Sequence, residues 1–178
     1  GHLVGTLKLS EGISPQAQRF FPPEQELIAS TDERFRPVNA RVGPDGTLYL
    51  ADMYHGIIEH VIFIVPWLTK QIEQRKLYEG NDHGRIWRIV PEKFERRKPP
   101  QLANATTAEL VALLEHSNGW HRDTAARLLY ERQDKTAALA LRDLAAKSES
   151  PVARMHALHA VNGLGVLTSG EVIPALGD

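Results

Sequence analysis

The chain has 178 residues, of which 42% are hydrophobic and 24% charged, a composition typical of folded globular proteins. Its 21 lysines and arginines nearly balance its 22 aspartates and glutamates, so the formal net charge is −1 and no nucleic-acid partner is expected. The absence of cysteine excludes disulfides, thiolate metal sites and C-x-x-C-H haem attachment within the chain, and the longest apolar run, Val61 to Leu68, is too short to predict a membrane span.

The first half of the chain has the pattern of short strands separated by turns. Leu3 to Leu9 alternates weakly, as a strand does, and the prolines of Glu11 to Pro23 predict a loop. Two clearer strands, Arg36 to Val42 and Thr47 to Asp52, flank a turn of sequence Gly43-Pro44-Asp45-Gly46. Proline presets φ in such a turn and glycine accepts positive φ, so the segment predicts a β-hairpin.

Three further segments lead to the middle of the chain. Pro66 to Tyr78 has a rough apolar stripe and predicts a helix, with its proline in the first turn. Gly84 to Val90 alternates and predicts a strand. The residues that follow are charged and end in two prolines, which predicts a linker over residues 93–101.

After Gln101 the apolar period changes from two to about 3.6, which predicts helices. The predicted helices are Thr107 to Glu115, Trp120 to Arg132, Lys135 to Lys147, one opened by Pro151, and the start of a fifth at Glu171 to Leu176. Arg122, Ala125 and Leu128 recur as Arg154, Ala157 and Ala160, each 32 positions further on. That period is typical of helical solenoids, whose repeats bury their apolar faces against one another, and we expect the natural protein to continue beyond this chain.

Several short motifs resemble a known family. They are Phe35-Arg36-Pro37-Val38-Asn39, Gly43 to Tyr54, Ile58-Glu59-His60, Asp82 to Ile89, Thr107 to Val111, His116 to Ala125 and Leu128 to Arg132. In this order they resemble the last blades of sorbosone/glucose-dehydrogenase-like β-propellers, and above all the large membrane-bound dehydrogenases of planctomycetes and related bacteria. In those proteins a propeller is followed by HEAT-like repeats and a c-type cytochrome domain.

The resemblance implies a fold class and a domain layout. The expected fold is α+β in two segments, with antiparallel β-propeller blades in residues 1–92 and an α-helical HEAT-like solenoid in residues 102–178. The remainder of the propeller and the cytochrome domain would lie outside this chain. The resemblance also implies a periplasmic or otherwise extracytoplasmic location.

The resemblance further implies a function. The whole protein would oxidise a sugar or alcohol with pyrroloquinoline quinone and pass electrons to haem c on the cytochrome domain. Arg34 and Arg36 match the arginines that contact the quinone in soluble glucose dehydrogenases of this type, and His60 is a candidate for lining the cofactor pocket. The catalytic residue is unknown, and we expect this chain alone to be inactive, because one or two blades leave open sheet edges.

Other interpretations remain open. The chain could be a non-catalytic scaffold for protein or carbohydrate binding, with a protein partner on the helical repeats, because fold alone does not choose a function. His55, Glu59, His60 and His83 suit a metal ion by type, but a spacing of five places His55 and His60 on opposite faces of a strand, so no metal site is predicted. We expect Asp52 and Tyr54 to act structurally, through hydrogen bonds.

Overall fold

The computed structural model describes residues 2–9, 16–95 and 98–175, and within them the chain is a small α+β protein. Its residues group into two compact units. The first holds Gly1–Arg41 and Leu48–Val90, and the second holds Val42–Thr47 and Pro91–Asp178. The predicted linker over residues 93–101 stays a prediction.

The strands are short and form three separate sheets. They are β1 (His2–Val4), β2 (Leu7–Leu9), β3 (Ala17–Arg19), β4 (Ile28–Ser30), β5 (Pro37–Val42), β6 (Leu48–Asp52) and β7 (Arg85–Ile89). β1 pairs with β4 and β2 with β3, while β5, β6 and β7 form a three-stranded sheet in that order. In this sheet Leu50 lies opposite Trp87 and Asp52 opposite Arg85.

The β-propeller predicted for the first half is wrong. A propeller is built from four-stranded blades arranged around a channel. Among the described residues no sheet has more than three strands and none closes. The predicted fold class, propeller blades followed by a HEAT-like solenoid, is therefore replaced by a small α+β fold with open sheets. Local patterns predict where strands lie, but they do not state which strands pair.

Most local predictions in this half agree with the structure. The hairpin is confirmed: the N–H of Gly46 donates to the carbonyl of Gly43 at 3.0 Å, and Gly46 has φ of 78°. The strand predicted over Leu3 to Leu9 is split into β1 and β2. β3 lies inside the loop predicted over Glu11 to Pro23, of which residues 11–15 are outside the described ranges.

The helix predicted over Pro66 to Tyr78 is shorter than expected. α1 spans Pro66–Gln74 and is preceded by a 3₁₀ turn at Val61–Phe63. Arg75 is its C-cap, and Lys76 then adopts φ of 52°, a left-handed conformation that ends the helix. Buried Ile72 and Leu77 anchor this segment.

The second unit is helical. Its helices are α2 (Thr107–Ala112), α3 (Gly119–Arg132), α4 (Ala138–Lys147), α5 (Pro151–Gly163) and α6 (Ser169–Ala175), with 3₁₀ turns at Leu102–Asn104, Leu113–Glu115 and Lys135–Ala137. Thr106 and Glu109 form a reciprocal capping box at the start of α2. Within the described ranges, no helix combines the length and the apolar character needed to cross a membrane.

The 32-residue internal repeat is present in the structure. Asn118 caps α3 by accepting from the N–H of Trp120, and Ser150, 32 positions further on, caps α5 by accepting from the N–H of Ala153. The guanidinium of Arg122 donates to the carbonyl of His116 at 2.6 Å, and that of Arg154 donates to the carbonyl of Ser148 at 2.7 Å. The two arginines therefore make matching bonds, and the two helices are capped at matching positions.

One apolar core joins these helices. Its fully buried members include Leu110, Leu114, Ala125, Leu129, Leu141, Ala157 and Val161, each no more than 2% exposed. Alanines at the repeated positions Ala125 and Ala157 let the helix backbones approach closely.

Candidate binding surface

The two arginines predicted to contact a quinone donate hydrogen bonds to backbone carbonyls. Arg34 donates from Nε to the carbonyl of Glu79 at 3.0 Å and from Nη2 to that of Lys76 at 2.7 Å. Arg36 donates from Nη2 to the carbonyl of Gly56 at 2.9 Å and from Nη1 to that of Glu33 at 2.8 Å. Both guanidinium groups therefore tie distant parts of the chain together.

Three of the carbonyls that these arginines bind, those of Gly56, Lys76 and Glu79, lie at the two ends of one loop. Gly56 begins the connection from β6 to β7, and Lys76 to Glu79 lie near its end. The ends also touch each other, since a Cβ added at Gly56 would lie 2.6 Å from the carbonyl oxygen of Leu77. Only glycine permits this approach. The two ends of this connection are thus held together, and surface connections positioned by a folded unit often carry function.

A buried carboxylate lies at the base of this loop. The side chain of Asp52 is 0% exposed. It accepts hydrogen bonds from the backbone N–H groups of Arg36 at 2.8 Å and Tyr54 at 3.0 Å, and from Arg85 Nε and Trp87 Nε1, both at 2.9 Å. The structure thus supports the hydrogen-bonding role predicted for Asp52.

These bonds determine the protonation of Asp52. Burial alone would raise the pKa of its carboxyl group, but the hydrogen bonds from Trp87, from the backbone of Arg36 and Tyr54, and from Arg85 outweigh burial and lower that pKa. A carboxylate has about four lone-pair sites, and four donors already occupy them. Asp52 is therefore suited to hold the start of the loop in place. It is not suited to accept a proton from a substrate or to bind a metal ion.

Arg85 completes the group of side chains around Asp52 at the base of the loop. Its guanidinium lies 3.9 Å from the ring centre of Tyr54 and 4.9 Å from that of Trp87, and its Nη2 is 3.2 Å from Asp32 Oδ2. Stacking on two aromatic faces adds cation–π attraction to the ion pair with Asp52. The arrangement restrains the start of the loop, where Tyr54 has φ of 55°.

His60 lies in the exposed part of the loop. Its Nδ1 accepts from the N–H of Ile62 at 3.4 Å, which caps the 3₁₀ turn. Arg34 and Arg36, by contrast, bind the ends of the loop. The structure thus assigns separate structural tasks to the three residues predicted to bind a cofactor.

The part of the loop between these anchors is apolar and exposed. We call residues 58–67 the apolar segment. Six of its side chains are more than half exposed: Ile58 (55%), Val61 (74%), Ile62 (73%), Phe63 (62%), Val65 (54%) and Trp67 (69%). Scattered apolar residues are normal on protein surfaces, but an exposed group of this kind marks an interaction site.

Sequence reasoning missed this surface, although it noticed the run Val61 to Leu68 as the longest apolar stretch. A β-branched run usually indicates a buried strand. The signal against burial was the lack of alternation together with Pro66 inside the run.

Among the described residues, no three His, Asp or Glu side chains are grouped to hold a metal ion.

Comparison with known proteins identifies the first half of the chain. A family model described as a domain of unknown function, DUF7133, matches residues 1–93, just over half of the chain. No curated protein and no solved structure matches the chain. The apolar segment, its anchoring arginines and Asp52 all lie within the matched residues.

Proposed function

The chain belongs to the DUF7133 domain family, and we propose that it is a non-catalytic module that binds a protein partner. The observation that carries this proposal is the exposed apolar segment. It presents six large apolar side chains on a loop that is held at both ends. A loop restrained in advance loses little conformational entropy when it binds, which favours affinity.

The residue types in the segment support a protein partner. Trp67 and Phe63 offer large rigid contact areas, and tryptophan is enriched among the residues that dominate protein interfaces. The ends of the loop are fixed by Arg34, Arg36 and the packing of Gly56 against Leu77. These three anchors explain why the segment remains a defined surface although its own side chains pack little.

We expect Trp67→Ala to weaken partner binding about 30-fold or more, the usual effect of removing a central tryptophan from an interface. The measurement places a photo-crosslinking amino acid at Ile62 and identifies crosslinked proteins by mass spectrometry in the native cell. A discrete protein should crosslink from position 62, and Trp67→Ala should reduce that product. The same crosslinker at Leu139, which is 79% exposed in the helical unit, is the matched control.

Two results would contradict the proposal. One is the absence of a protein crosslink at Ile62. The other is an equal yield of the same product from Ile62 and Leu139, which would show that collision and not the apolar segment determines the contact.

Quinone binding and dehydrogenase activity stay predictions that rest on the resemblance. Both arginines named by the resemblance already donate to carbonyl groups. We therefore expect no dehydrogenase activity, read as reduction of an acceptor dye, when the chain is mixed with pyrroloquinoline quinone, calcium and a panel of sugars. The measurement is a dye-coupled assay together with titration of the quinone into wild type and Arg36→Ala. Turnover by the wild type, or quinone binding that Arg36→Ala abolishes, would instead favour the dehydrogenase.

A further inference from the structure

The apolar segment contains a 3₁₀ turn whose side chains point in different directions. The turn spans Val61–Phe63, and none of its residues is buried. Its three side chains are between 62% and 74% exposed. A 3₁₀ helix has about three residues per turn, so the side chains of three successive residues diverge by about 120°. The turn is therefore exposed around its whole circumference.

Other residues attach the apolar segment and the helix after it to the first unit. Ile64 and Leu68 are partly buried, and Ile72 is 3% exposed. Residues four apart lie on the same side of a helix, so Leu68 and Ile72 form the inward side of α1. His60 caps the start of the turn through the N–H of Ile62. The three side chains of the turn take no part in this attachment.

The charge pattern around the turn indicates what can cover it. Residues 61–69 include no charged side chain, and the charges that flank this stretch are one anion, Glu59, and one cation, Lys70. A surface that covers the stretch is favoured if it is also uncharged, because burying an unpaired charge is costly. Anionic lipid surfaces attract clusters of basic residues, and this stretch has none. The pattern therefore favours an apolar protein surface.

Three cavities within the described part of the second unit are poor matches for this turn. They measure about 710, 510 and 430 Å³. Each has charged side chains in its wall, among them Arg142 in the first, Lys93 in the second and Glu109 in the third. A second copy of the chain therefore does not offer the uncharged turn a complementary site in these cavities.

We propose that the 3₁₀ turn of the apolar segment inserts into an uncharged apolar pocket of the partner protein. This inference rests on the proposed protein-binding function and adds the shape and charge of the partner's site. A flat surface covers one or two of three side chains that diverge by about 120°, whereas a pocket covers all three. Side chains enclosed in desolvated pockets are also those that contribute most to the affinity of an interface.

The test places a photo-crosslinking amino acid separately at Val61, Ile62 and Phe63 of the full chain. Products formed in the native cell are identified by mass spectrometry. We expect the same protein to crosslink from all three positions in comparable yield. The matched control is Ile86, which is 77% exposed in the same unit but lies outside the apolar segment, and it should not give this product.

Two aspartate substitutions test the charge of the pocket. With the crosslinker at Val61, Ile62→Asp should weaken partner binding about 100-fold or more, because it places a charge in an uncharged pocket. Ile86→Asp makes the same change outside the segment and should leave the yield unchanged. The two isoleucines are 73% and 77% exposed, so neither substitution removes a core side chain. An unchanged yield with Ile62→Asp would contradict an uncharged pocket.

Three further outcomes would overturn the proposal. One is a partner that crosslinks from only one or two of the three turn positions, which would indicate a flat contact and leave the protein-binding function standing. Another is a product that is a dimer of this chain. The last is binding to vesicles of phosphatidylcholine, alone or mixed with phosphatidylglycerol, that Ile62→Asp abolishes, which would assign the turn to a lipid surface. The absence of any protein product at all three positions would contradict the protein-binding function itself, and this proposal with it.

Discussion

Replacing Asp52 by alanine is expected to lower the free energy of unfolding of the first unit by about 3–5 kcal/mol. The substitution leaves Arg85, the indole N–H of Trp87 and two backbone N–H groups without their acceptor in a site that is 0% exposed. The measurement is urea denaturation followed by tryptophan fluorescence, since Trp87 lies in the perturbed site.

Asp82→Ala is the matched control for this substitution, because the Asp82 side chain is 85% exposed. Its effect should stay within about 0.5 kcal/mol, as for most surface changes. Similar losses in the two variants would contradict the view that Asp52 holds the base of the loop.

The Asp52 carboxylate also predicts that the stability of the first unit depends on pH. Because the folded-state pKa of Asp52 is lowered below the usual aspartate value of 3.8, the ionised group contributes stability that is fully present above that value and is lost as pH falls through the folded pKa. The stability difference between wild type and Asp52→Asn should therefore narrow below about pH 4. Denaturation curves at a series of pH values check this, and a constant difference down to strongly acidic pH would contradict it.

Replacing Leu129 by alanine is expected to destabilise the helical unit by about 2–5 kcal/mol, the cost of removing a buried leucine and leaving a cavity. Leu129 is 2% exposed and belongs to the core shared by α2, α3, α4 and α5. The measurement is thermal unfolding followed by the helical circular dichroism signal. Leu139→Ala, at a position 79% exposed, should change little. An equal loss of stability in the two variants would contradict the structure, in which only Leu129 is buried.

The resemblance to a propeller dehydrogenase led to two expectations with different outcomes. The propeller blades are contradicted, because no sheet among the described residues has more than three strands. The cofactor roles of Arg34 and Arg36 stay predictions, but the structure gives these residues another task. Arginine suits both tasks, contact with a quinone and bonding to backbone carbonyls, because its planar group donates several hydrogen bonds in fixed directions. A sequence motif shows the donor, but only the fold shows the acceptor.

The sequence by itself determined the local elements of this protein. The hairpin turn at Gly43 to Gly46, the caps of α3 and α5 and the 32-residue repeat all depend on residues a few positions apart, or on a period visible in the chain. Their hydrogen bonds close within one turn, so the residue types needed for them lie side by side. The same local rules explain why helix starts were predicted well, whereas a single glycine, Gly5, was too weak a signal to divide the strand predicted over Leu3 to Leu9.

Only the tertiary structure decided which strands pair, what the arginines bind and which apolar residues are exposed. Arg34 reaches the carbonyl of Lys76 across 42 positions, and Arg85 reaches Asp32 across 53. No local pattern encodes such contacts, because their energy depends on how the intervening chain folds. The apolar segment shows the same limit. An apolar, β-branched composition is typical of a buried strand, but Arg34, Arg36 and Gly56 close the loop at its ends, and six large apolar side chains lie in solvent.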